Sequence, residues 1–378
     1  MMRRIIAAAA VALGLLAACA GSDTPEGGVV VARVDGTVGP IMERYIDRVI
    51  SDAEEQRARL VVLELDTPGG LDSSMRKIVQ RIGRADVPVA VYVAPIGARA
   101  ASAGTFITMA GHIAAMAPNT AIGAAAAINA DGSDIEGTLG KKIENDAVAY
   151  IRGIAELRGR NADWAEQAVR EAVAVNENDA AKLNVVDFVA ADLDDLLRRS
   201  EGRTVTLRPG VTATLTGLAE APRVDLEMTP WERFLAFIAD PTIASLLLSI
   251  GFLALIIELY APGLGVPGVA GAIAIILGFL GFGLLPVDTA GLVLIGLGLA
   301  LVAAELFVTS GILGAAGAVA IVLGGIIAFR DTPADFRPPA WAFATAGGIL
   351  AAVVLLLFAV VFFADRASRR ARSDPFAF

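Results

Sequence analysis

Cysteine and histidine are almost absent from this chain of 378 residues, which contains one of each, Cys19 and His112. A single cysteine cannot form a disulfide within the chain, and the two residues together supply too few ligands for a zinc-type site. We therefore expect neither a metal nor a cofactor. If a serine nucleophile used a histidine as its base, that histidine could only be His112.

Positive charge is scarce too. The formal net charge is -9, and no stripe of Lys and Arg runs through residues 28–230, which argues against binding to nucleic acid. Charged residues of either sign are rare between 234 and 363, and 56% of the whole chain is hydrophobic. This division predicts a globular region followed by a membrane region.

The first 20 residues have the layout of a secretory signal peptide: two arginines, an apolar run too short to span a bilayer, and small residues. The sequence LAAC within it resembles a bacterial lipoprotein box, which would make Cys19 a lipidated first residue. Ordinary cleavage after the Ala18-Cys19-Ala20 pattern is the alternative. Either way we expect the following domain to be exported.

Residues 28–220 alternate β-branched runs such as GVVVARV, RLVVLELD and PVAVYVA with amphipathic stretches such as LDSSMRKIVQRIGRA. This alternation predicts an α/β domain with a mainly parallel sheet that is buried on both faces. A β-like stretch, RTVTLRPGVTATLTGL, closes the domain. Residues 221–240 are expected to form a linker.

Five apolar stretches follow, at about 241–259, 267–285, 289–307, 311–329 and 340–363, each near the ~20 residues that a spanning helix needs. They predict an all-α polytopic membrane domain over 241–363. The tail 364–378 carries four arginines in DRASRRARSD and is expected to be cytoplasmic. An odd number of spans then places the α/β domain outside the cytoplasm, in agreement with the signal peptide.

The membrane region repeats itself. AGAIAIILG (270–278) and AGAVAIVLG (316–324) each follow a Glu-Leu-aromatic triplet, which begins at Glu258 in the first copy and at Glu305 in the second. The repeat predicts two similar helical hairpins that pack through small residues. Carboxylates near a membrane are functional candidates, but both lie at helix ends and a packing role is favoured. The lack of charge in mid-span argues against a transporter.

Two short motifs could carry chemistry. ELDTPGG (64–70) ends a predicted buried strand, and its adjacent glycines can turn backbone N–H groups into an anion-binding pocket. In GARAASAGTF (97–106), Ser102 lies at the start of a helix, where the N–H of Ala103 favours developing negative charge. Each motif alone also fits a simple turn or close packing. Together, at neighbouring strand ends, they favour a catalytic site.

The stretches LDTPGGLDSSM, GARAASAGTFITMA and MAPNTAIGAA, in this order and followed by apolar stretches, resemble the NfeD-type membrane proteases of the ClpP class. The later NDAAKLNVVDFV is similar to a segment of the same fold. The resemblance covers roughly residues 28 to 363 and implies a ClpP/crotonase-like fold of repeated ββα units. It also implies that Ser102 is the nucleophile and that the amides of Gly69, Gly70 and Ala103 form the oxyanion hole.

The resemblance also suggests the base. Soluble members of the class place a histidine in the turn after Pro-Asn, which here falls near Ala125, and His112 lies on the strand before that turn, where a core or edge role is favoured. NfeD-type proteases resemble signal peptidases in using a lysine at the start of the next helix. That register falls on Lys142 in GKKIENDAVAYIRG, with Lys141 as the alternative. A solvated helix start is the simpler interpretation of the pair.

The resemblance implies a membrane-anchored serine endopeptidase of the bacterial inner membrane that acts through a Ser/Lys dyad. Its substrates would be apolar segments near the membrane, such as those of stomatin-like proteins, and it would form homodimers or larger assemblies. A non-catalytic membrane scaffold for stomatin-like partners is the alternative. Long members of the family carry a small β-barrel after the membrane region, and we expect this chain either to lack that domain or to be cut short before it.

Overall fold

The computed structural model describes residues 27–127, 135, 137–260, 266–283, 288–308 and 312–329. The predicted signal peptide with Cys19, the fifth apolar stretch at 340–363 and the tail 364–378 lie outside the described residues. Within them, an α/β domain is followed by a region of helices.

A six-stranded parallel sheet forms the centre of the α/β domain, with the spatial order β11-β1-β2-β3-β5-β8. Its strands are β1 (Val29–Asp35), β2 (Leu60–Asp66), β3 (Val89–Val93), β5 (Ile113–Met116), β8 (Phe188–Val189) and β11 (Arg223–Asp225). The runs VVVARVD and LVVLELD pair in register along their whole length. Both are rich in β-branched residues, which suits strands buried on two faces.

Successive residues of each strand point to opposite faces, and two separate apolar clusters cover those faces. One face packs against α1 (Pro40–Glu55), α2 (Asp72–Arg84), α3 (Ala103–Ala110), α4 (Gly137–Leu157), α5 (Ala162–Arg170) and α6 (Glu177–Lys182). The other face packs against α7 (Leu193–Ser200) and the antiparallel hairpin of β9 (Thr204–Arg208) and β10 (Val211–Thr214). The predicted fold class, a parallel-sheet α/β domain followed by a helical region, is confirmed.

A second, smaller sheet lies at the carboxyl end of the large one. Its strands are β4 (Arg99–Ala101), β6 (Ala121–Gly123) and β7 (Ala174–Asn176), with β4 and β6 parallel and β7 antiparallel. An isolated bridge between Thr67 and Ala100 joins it to the residue that follows β2. This sheet therefore brings the segments after β2 and β4 together.

The helical region begins with α8 (Pro230–Ile238) and continues with α9 (Pro241–Tyr260), α10 (Val266–Gly283), α11 (Thr289–Val308) and α12 (Ile312–Ala328). The stretch expected to be a linker thus contributes both β11 and α8. Helices α9 to α12 lie at the first four apolar stretches of the sequence. No single helix in the described ranges is long and apolar enough to cross a membrane. The helices Pro230–Ile238 and Thr242–Glu258, which are bent by 74° relative to each other, reach that length and apolar character only when taken together.

The repeat in the sequence corresponds to two hairpins, α9–α10 and α11–α12, that pack through glycine. A Cβ built on Gly251 would lie 2.8 Å from the carbonyl oxygen of Gly271, and one on Gly298 would lie 2.6 Å from that of Gly317. Both pairs let two helix backbones approach closely. At the far end of the first hairpin, the half-buried Glu258 accepts a hydrogen bond from the N–H of Gly268 at 3.4 Å. The side chain of Glu305 lies outside the described part of the second hairpin.

Candidate active site

Ser102 is held in a backbone conformation that few serines adopt. It is the residue before α3, with φ 51° and ψ -115°, and its N–H donates to the carbonyl of Gly123 at 3.0 Å. A positive φ at a residue with a Cβ is costly and persists only where the surroundings enforce it. The sharp turn from β4 into α3 leaves the Ser102 side chain half-buried rather than packed away. Serine nucleophiles of several hydrolases stand on turns of this kind.

The surroundings that enforce this turn include Thr105, one turn later in α3. Its fully buried hydroxyl lies 3.0 Å from the carbonyl oxygens of both Ala100 and Gly123, and it accepts the N–H of Gly123 at 3.2 Å. One hydroxyl thus links α3 to β4 and to β6. The sequence analysis missed this residue, although the threonine in ASAGT is visible in the motif.

The Gly69-Gly70 turn lies directly against Ser102. A Cβ built on Gly69 would be 2.7 Å from the Ser102 Cβ and 3.2 Å from its Oγ, and one on Gly70 would be 2.2 Å from the carbonyl oxygen of Val38. Both glycines have positive φ, 122° and 152°. No side chain fits at either position, so glycine is required at both by space and by backbone conformation.

The amides around Ser102 are not equivalent. The N–H of Gly69 donates to the Thr67 hydroxyl at 3.1 Å, and the Gly69 carbonyl accepts from the N–H of Val38 at 2.7 Å. In the described part of the chain, the N–H groups of Gly70 and Ala103 have no hydrogen-bond partner. The predicted oxyanion amides are therefore brought together at one place, with two of the three free to bind an anion.

Both lysines of the Lys-Lys pair lie near the start of α4 and are exposed. On a helix, residues four and eight apart share a face. Lys142 therefore shares its face with Asp146 and Tyr150. Asp146 forms an ion pair with Arg76 of α2, and the Tyr150 ring stacks on Phe106 of α3 with centroids 6.2 Å apart.

The neighbouring Lys141 shares its face with Asn145, which accepts a hydrogen bond from Arg170 of α5 at 3.2 Å. Lys142 is thus on the side of α4 that faces the helices around Ser102, whereas Lys141 is on the side toward α5. Within the described ranges, neither lysine forms an ion pair or a hydrogen bond. The structure brings Ser102, Gly69, Gly70 and Ala103 together and leaves Lys142 in water on the adjoining helix.

Tyr150 marks where α4 docks. The Arg76 guanidinium lies over its ring at 4.4 Å and also contacts Asp72. Burial raises the pKa of the Tyr150 phenol, against the opposite effect of the Arg76 cation. Its hydroxyl is buried without a partner among the described residues. This contact fixes the later turns of α4 on α3, two turns away from Lys142.

His112 belongs to the sheet and not to the site. The N–H of Val89 donates to its Nδ1 at 3.0 Å, and its Nε2 lies 3.2 Å from the carbonyl oxygen of Leu207, so Nε2 carries the proton. Burial, with the nearby Arg158 cation, lowers the pKa of His112 to about 3. It precedes β5, at the amino end of the strands of the large sheet, whereas Ser102 lies at their carboxyl end. Ala125, where soluble relatives of the class place a histidine, is buried and donates its N–H to Ala168 at 2.8 Å.

The described residues contain no group of three or more His, Cys, Asp or Glu side chains arranged to hold a metal ion.

Both regions of the chain match known proteins. Residues 28–207 match the model of the NfeD1b N-terminal domain, and residues 242–363 match that of the NfeD integral membrane domain. The membrane-bound protease PH1510 of Pyrococcus horikoshii is 37% identical over 305 residues, which cover 80% of this chain and 69% of the relative. Membrane protein NfeD1b of Bacillus subtilis is 29% identical over 303 residues, 79% of this chain and 65% of the relative.

Solved structures of 1510-N, the membrane-bound stomatin-specific protease, match the α/β domain. A lysine-to-alanine mutant in complex with a substrate peptide superposes with a TM-score of 0.53 at 36% identity, covering 56% of this chain and 98% of that one. A serine-to-alanine mutant gives a TM-score of 0.51 at 37% identity, covering 54% and 99%. With both regions matched by family models and this level of identity, the chain belongs to the NfeD family, and its α/β domain is homologous to a membrane-bound protease.

Proposed function

We propose that this protein is a membrane-anchored serine endopeptidase in which Ser102 is the nucleophile and Lys142 the general base. The observation that carries the proposal is the Ser102 turn. A strained serine faces a glycine turn at a distance that excludes any Cβ, and two unpartnered amides, those of Gly70 and Ala103, lie beside it. Such donors are effective because they are already oriented when charge develops on the substrate.

The reaction begins when neutral Lys142 accepts the proton of the Ser102 hydroxyl as its oxygen attacks the scissile carbonyl. The amides of Gly70 and Ala103 bind the resulting oxyanion, while Gly69 contributes mainly the space in which Ser102 stands. Lys142 then gives its proton to the leaving amine, and an acyl-enzyme on Ser102 remains. Water, deprotonated by the same lysine, hydrolyses the ester and restores both residues.

The choice of Lys142 over Lys141 is supported by the helix face described above and by the relative. The serine and the lysine replaced in the two 1510-N mutants lie one residue further apart than Ser102 and Lys142, and two further apart than Ser102 and Lys141. Lys142 is exposed in the free protein.

The substrate class follows from the surface beside the dyad and from the relative. Leu139 and Ile143, on either side of the lysine pair, and Ile96, in the loop before β4, are exposed apolar side chains, with Ile96 66% accessible. They suit an apolar peptide. Since the 1510-N relative is named as stomatin-specific, we propose apolar segments of stomatin-like membrane proteins as substrates, and a homodimer or larger assembly as the working form.

The membrane arrangement is part of the proposal. The match to the family's integral membrane domain supports anchoring in the inner membrane. We further propose five spans, with the protease domain outside the cytoplasm and the arginine-rich tail inside it. A reporter fused after Arg372 should then be active only as a cytoplasmic reporter.

A serine-directed fluorophosphonate probe tests the central proposal. The purified full chain should be labelled, Ser102→Ala should not, and cleavage of a synthetic apolar peptide from the C-terminal region of a stomatin-like protein should disappear with the same substitution. Unchanged labelling or cleavage by Ser102→Ala would exclude Ser102 as the nucleophile.

Two observations favour a second candidate, a scaffold that binds stomatin-like proteins without cutting them. The relative from Bacillus subtilis is named only as a membrane protein, and Lys142 forms no hydrogen bond with Ser102 among the described residues. A scaffold would capture the stomatin-like peptide with equal affinity in wild type and Ser102→Ala and would cleave it in neither.

A further inference from the structure

Helix α8 presents an aromatic surface at the junction of the two regions of the chain. It begins with a capping box in which the Thr229 hydroxyl accepts from the N–H of Glu232 and Glu232 accepts from the N–H of Thr229. Leu235 and Ile238 are buried, whereas Trp231 and Phe237 are 58% and 59% exposed. The Trp231 ring stacks on Phe234 at 5.4 Å. We call Trp231, Phe234 and Phe237 the aromatic surface of α8.

A charged clamp fixes α8 to the α/β domain. Arg48 of α1 donates to both carboxylate oxygens of Glu232 at 2.9 Å, and its Nη2 also donates to the carbonyl of Glu227 at 2.8 Å. The fully buried Tyr45, one turn earlier in α1, donates its hydroxyl to the carbonyl of Leu226. A bidentate arginine–carboxylate pair specifies orientation as well as distance. Helix α8 is therefore held in a defined position on the domain.

The other side of α8 lies at one end of both hairpins. A Cβ on Gly281, near the end of α10, would lie 2.1 Å from the carbonyl oxygen of Ile238, so the two helices touch through their backbones. The Phe282 and Phe329 rings, at the ends of the two hairpins, meet edge to face at 5.3 Å. Helix α8 is thus next to the end of the hairpins at which both α10 and α12 terminate.

Two aspartates lie at this same end of the hairpins. The Asp240 carboxylate accepts from the N–H groups of Thr242 and Ile243 at the start of α9, and Asp288 accepts from the N–H of Ala290 at the start of α11. From each aspartate the chain runs without a charged residue until Glu258 in the first hairpin and Glu305 in the second. The family's integral membrane domain begins at residue 242. The level of Asp240 and Asp288 is consequently a boundary between water and lipid.

Helix α8 lies at that boundary and meets the apolar helix after it at 74°. A helix that is nearly perpendicular to its membrane-embedded neighbour runs along the bilayer surface, and tryptophan and phenylalanine are the residues that favour the headgroup region. We propose that α8 is a membrane-surface helix whose aromatic surface inserts among phospholipid headgroups, with the Arg48–Glu232 clamp transmitting this attachment to the α/β domain.

The occupant of the aromatic surface is lipid rather than a protein because the surface is continuous with the membrane domain and contributes little charge of its own. Glu232 is paired with Arg48, and the exposed Arg233 is paired with Glu227 at 3.2 Å. Attachment should therefore depend on the apolar rings and should not require anionic lipid. This inference rests on the membrane arrangement given under the proposed function, but it goes beyond the peptidase activity and is independent of it.

Tryptophan fluorescence tests the proposal, since the chain has three tryptophans, Trp164, Trp231 and Trp341. The full chain with Trp164→Phe and Trp341→Phe is placed in nanodiscs of phosphatidylcholine, with or without bromine on the acyl chains. We expect brominated lipid to reduce Trp231 emission at least about two-fold, and acrylamide in the water to quench it only weakly.

The matched control moves the single tryptophan onto the α/β domain, with Trp231→Phe and Leu183→Trp in the same background, because Leu183 is 41% exposed there. It should respond to acrylamide and not to brominated lipid. If Trp164→Phe disturbs the core, the loss of bromine quenching between wild type and Trp231→Phe gives the same answer. Trp231 that is quenched by acrylamide alone, or shielded from both quenchers by another protein surface, overturns the proposal.

Discussion

The two sides of the candidate site differ in how they are held. On the serine side, Ser102, Thr105 and the glycine turn are packed against the sheets, and their backbone groups bond to β4, β6 and the segment after β1. On the lysine side, Lys142 is an exposed side chain at a helix start with no partner in the described ranges. The proposed nucleophile is therefore held by the fold itself, whereas the proposed base has no such support in the described ranges. The predictions that follow test this difference, from the largest effect to the smallest.

Replacing Lys142 should have the largest effect on activity and almost none on stability. We expect Lys142→Ala to lower kcat/KM for the stomatin-like peptide about 10³-fold, since a general base is removed, and Lys142→Arg to fail as well because a guanidinium stays protonated. The thermal unfolding midpoint should not change, because the side chain is exposed. Peptide cleavage and circular dichroism measure the two effects.

Lys141→Ala is the matched control and should keep wild-type activity. If Lys141→Ala loses activity while Lys142→Ala keeps it, the base is the other lysine. His112→Gln should also leave the cleavage rate unchanged, because His112 lies outside the site.

Gly69→Ala should lower both activity and stability, because the packed residues around Ser102 leave no room for a methyl group. The added methyl would lie 2.7 Å from the Ser102 Cβ, so either the turn or the serine must move. A displacement of about 1 Å costs on the order of 10²-fold in rate. Gly83→Ala, at a helical glycine with nothing within 4 Å of an added Cβ, should leave the cleavage rate intact. Equal rates for the two variants would show that Gly69 does not constrain Ser102.

Two threonines of α3 give a finer test. Both are fully buried, but the Thr105 hydroxyl bonds to β4 and β6, whereas that of Thr108 has no partner among the described residues. Thr105→Val should cost about 1–3 kcal/mol of unfolding free energy, because the N–H of Gly123 loses its acceptor, and should lower kcat. Thr108→Val should be neutral or stabilising. Thermal unfolding of the two variants, with kcat for each, checks the difference; a milder effect for Thr105→Val would contradict it.

The smallest effect on cleavage is expected at His112, which lies outside the site and should influence only the pH dependence of stability. Its pKa is lowered from 6.5 to about 3 in the folded chain. As the pH falls, His112 is therefore protonated in the unfolded chain at a higher pH than in the folded chain. The stability contributed by neutral His112 is complete above about pH 6.5 and declines as the pH falls toward 3, by at most about 1.4 kcal/mol per pH unit. Thermal unfolding of the solubilised protein as a function of pH should show a shallower acid decline in His112→Gln. Identical declines would mean that His112 titrates normally.

Much of the fold could be predicted from sequence because long periodic runs dominate it. The runs VVVARVD and LVVLELD identify buried parallel strands, and the Gly69-Gly70 and Ser102 motifs stand out because glycine and serine mark unusual backbone. The sheet β4-β6-β7 could not be predicted, since strands of three residues are too short to show a period. Thr105 was missed for a related reason: its partner Gly123 is distant in the chain, and one buried threonine looks like any other.

The region 221–240 shows the same limit. It was expected to be a linker, yet Arg223–Asp225 adds an edge strand to the sheet and Pro230–Ile238 forms α8. Proline at the first helical position and the Thr-x-x-Glu capping box do announce the helix. The clamp between Arg48 and Glu232 spans most of the domain in sequence, and no local pattern reports it.

The independence of the Ser102 turn from α4 has a consequence for evolution within the family. Thr105, Gly123 and the glycine turn hold the serine without any contribution from the lysine. A descendant that lost the lysine would therefore keep the same backbone, the same strained serine and the same two free amides. Loss of catalysis would leave no trace in the shape of the domain. With Lys142 as the proposed base, such a descendant would differ from an active member in the residue at this position of α4 and not in the shape of the domain.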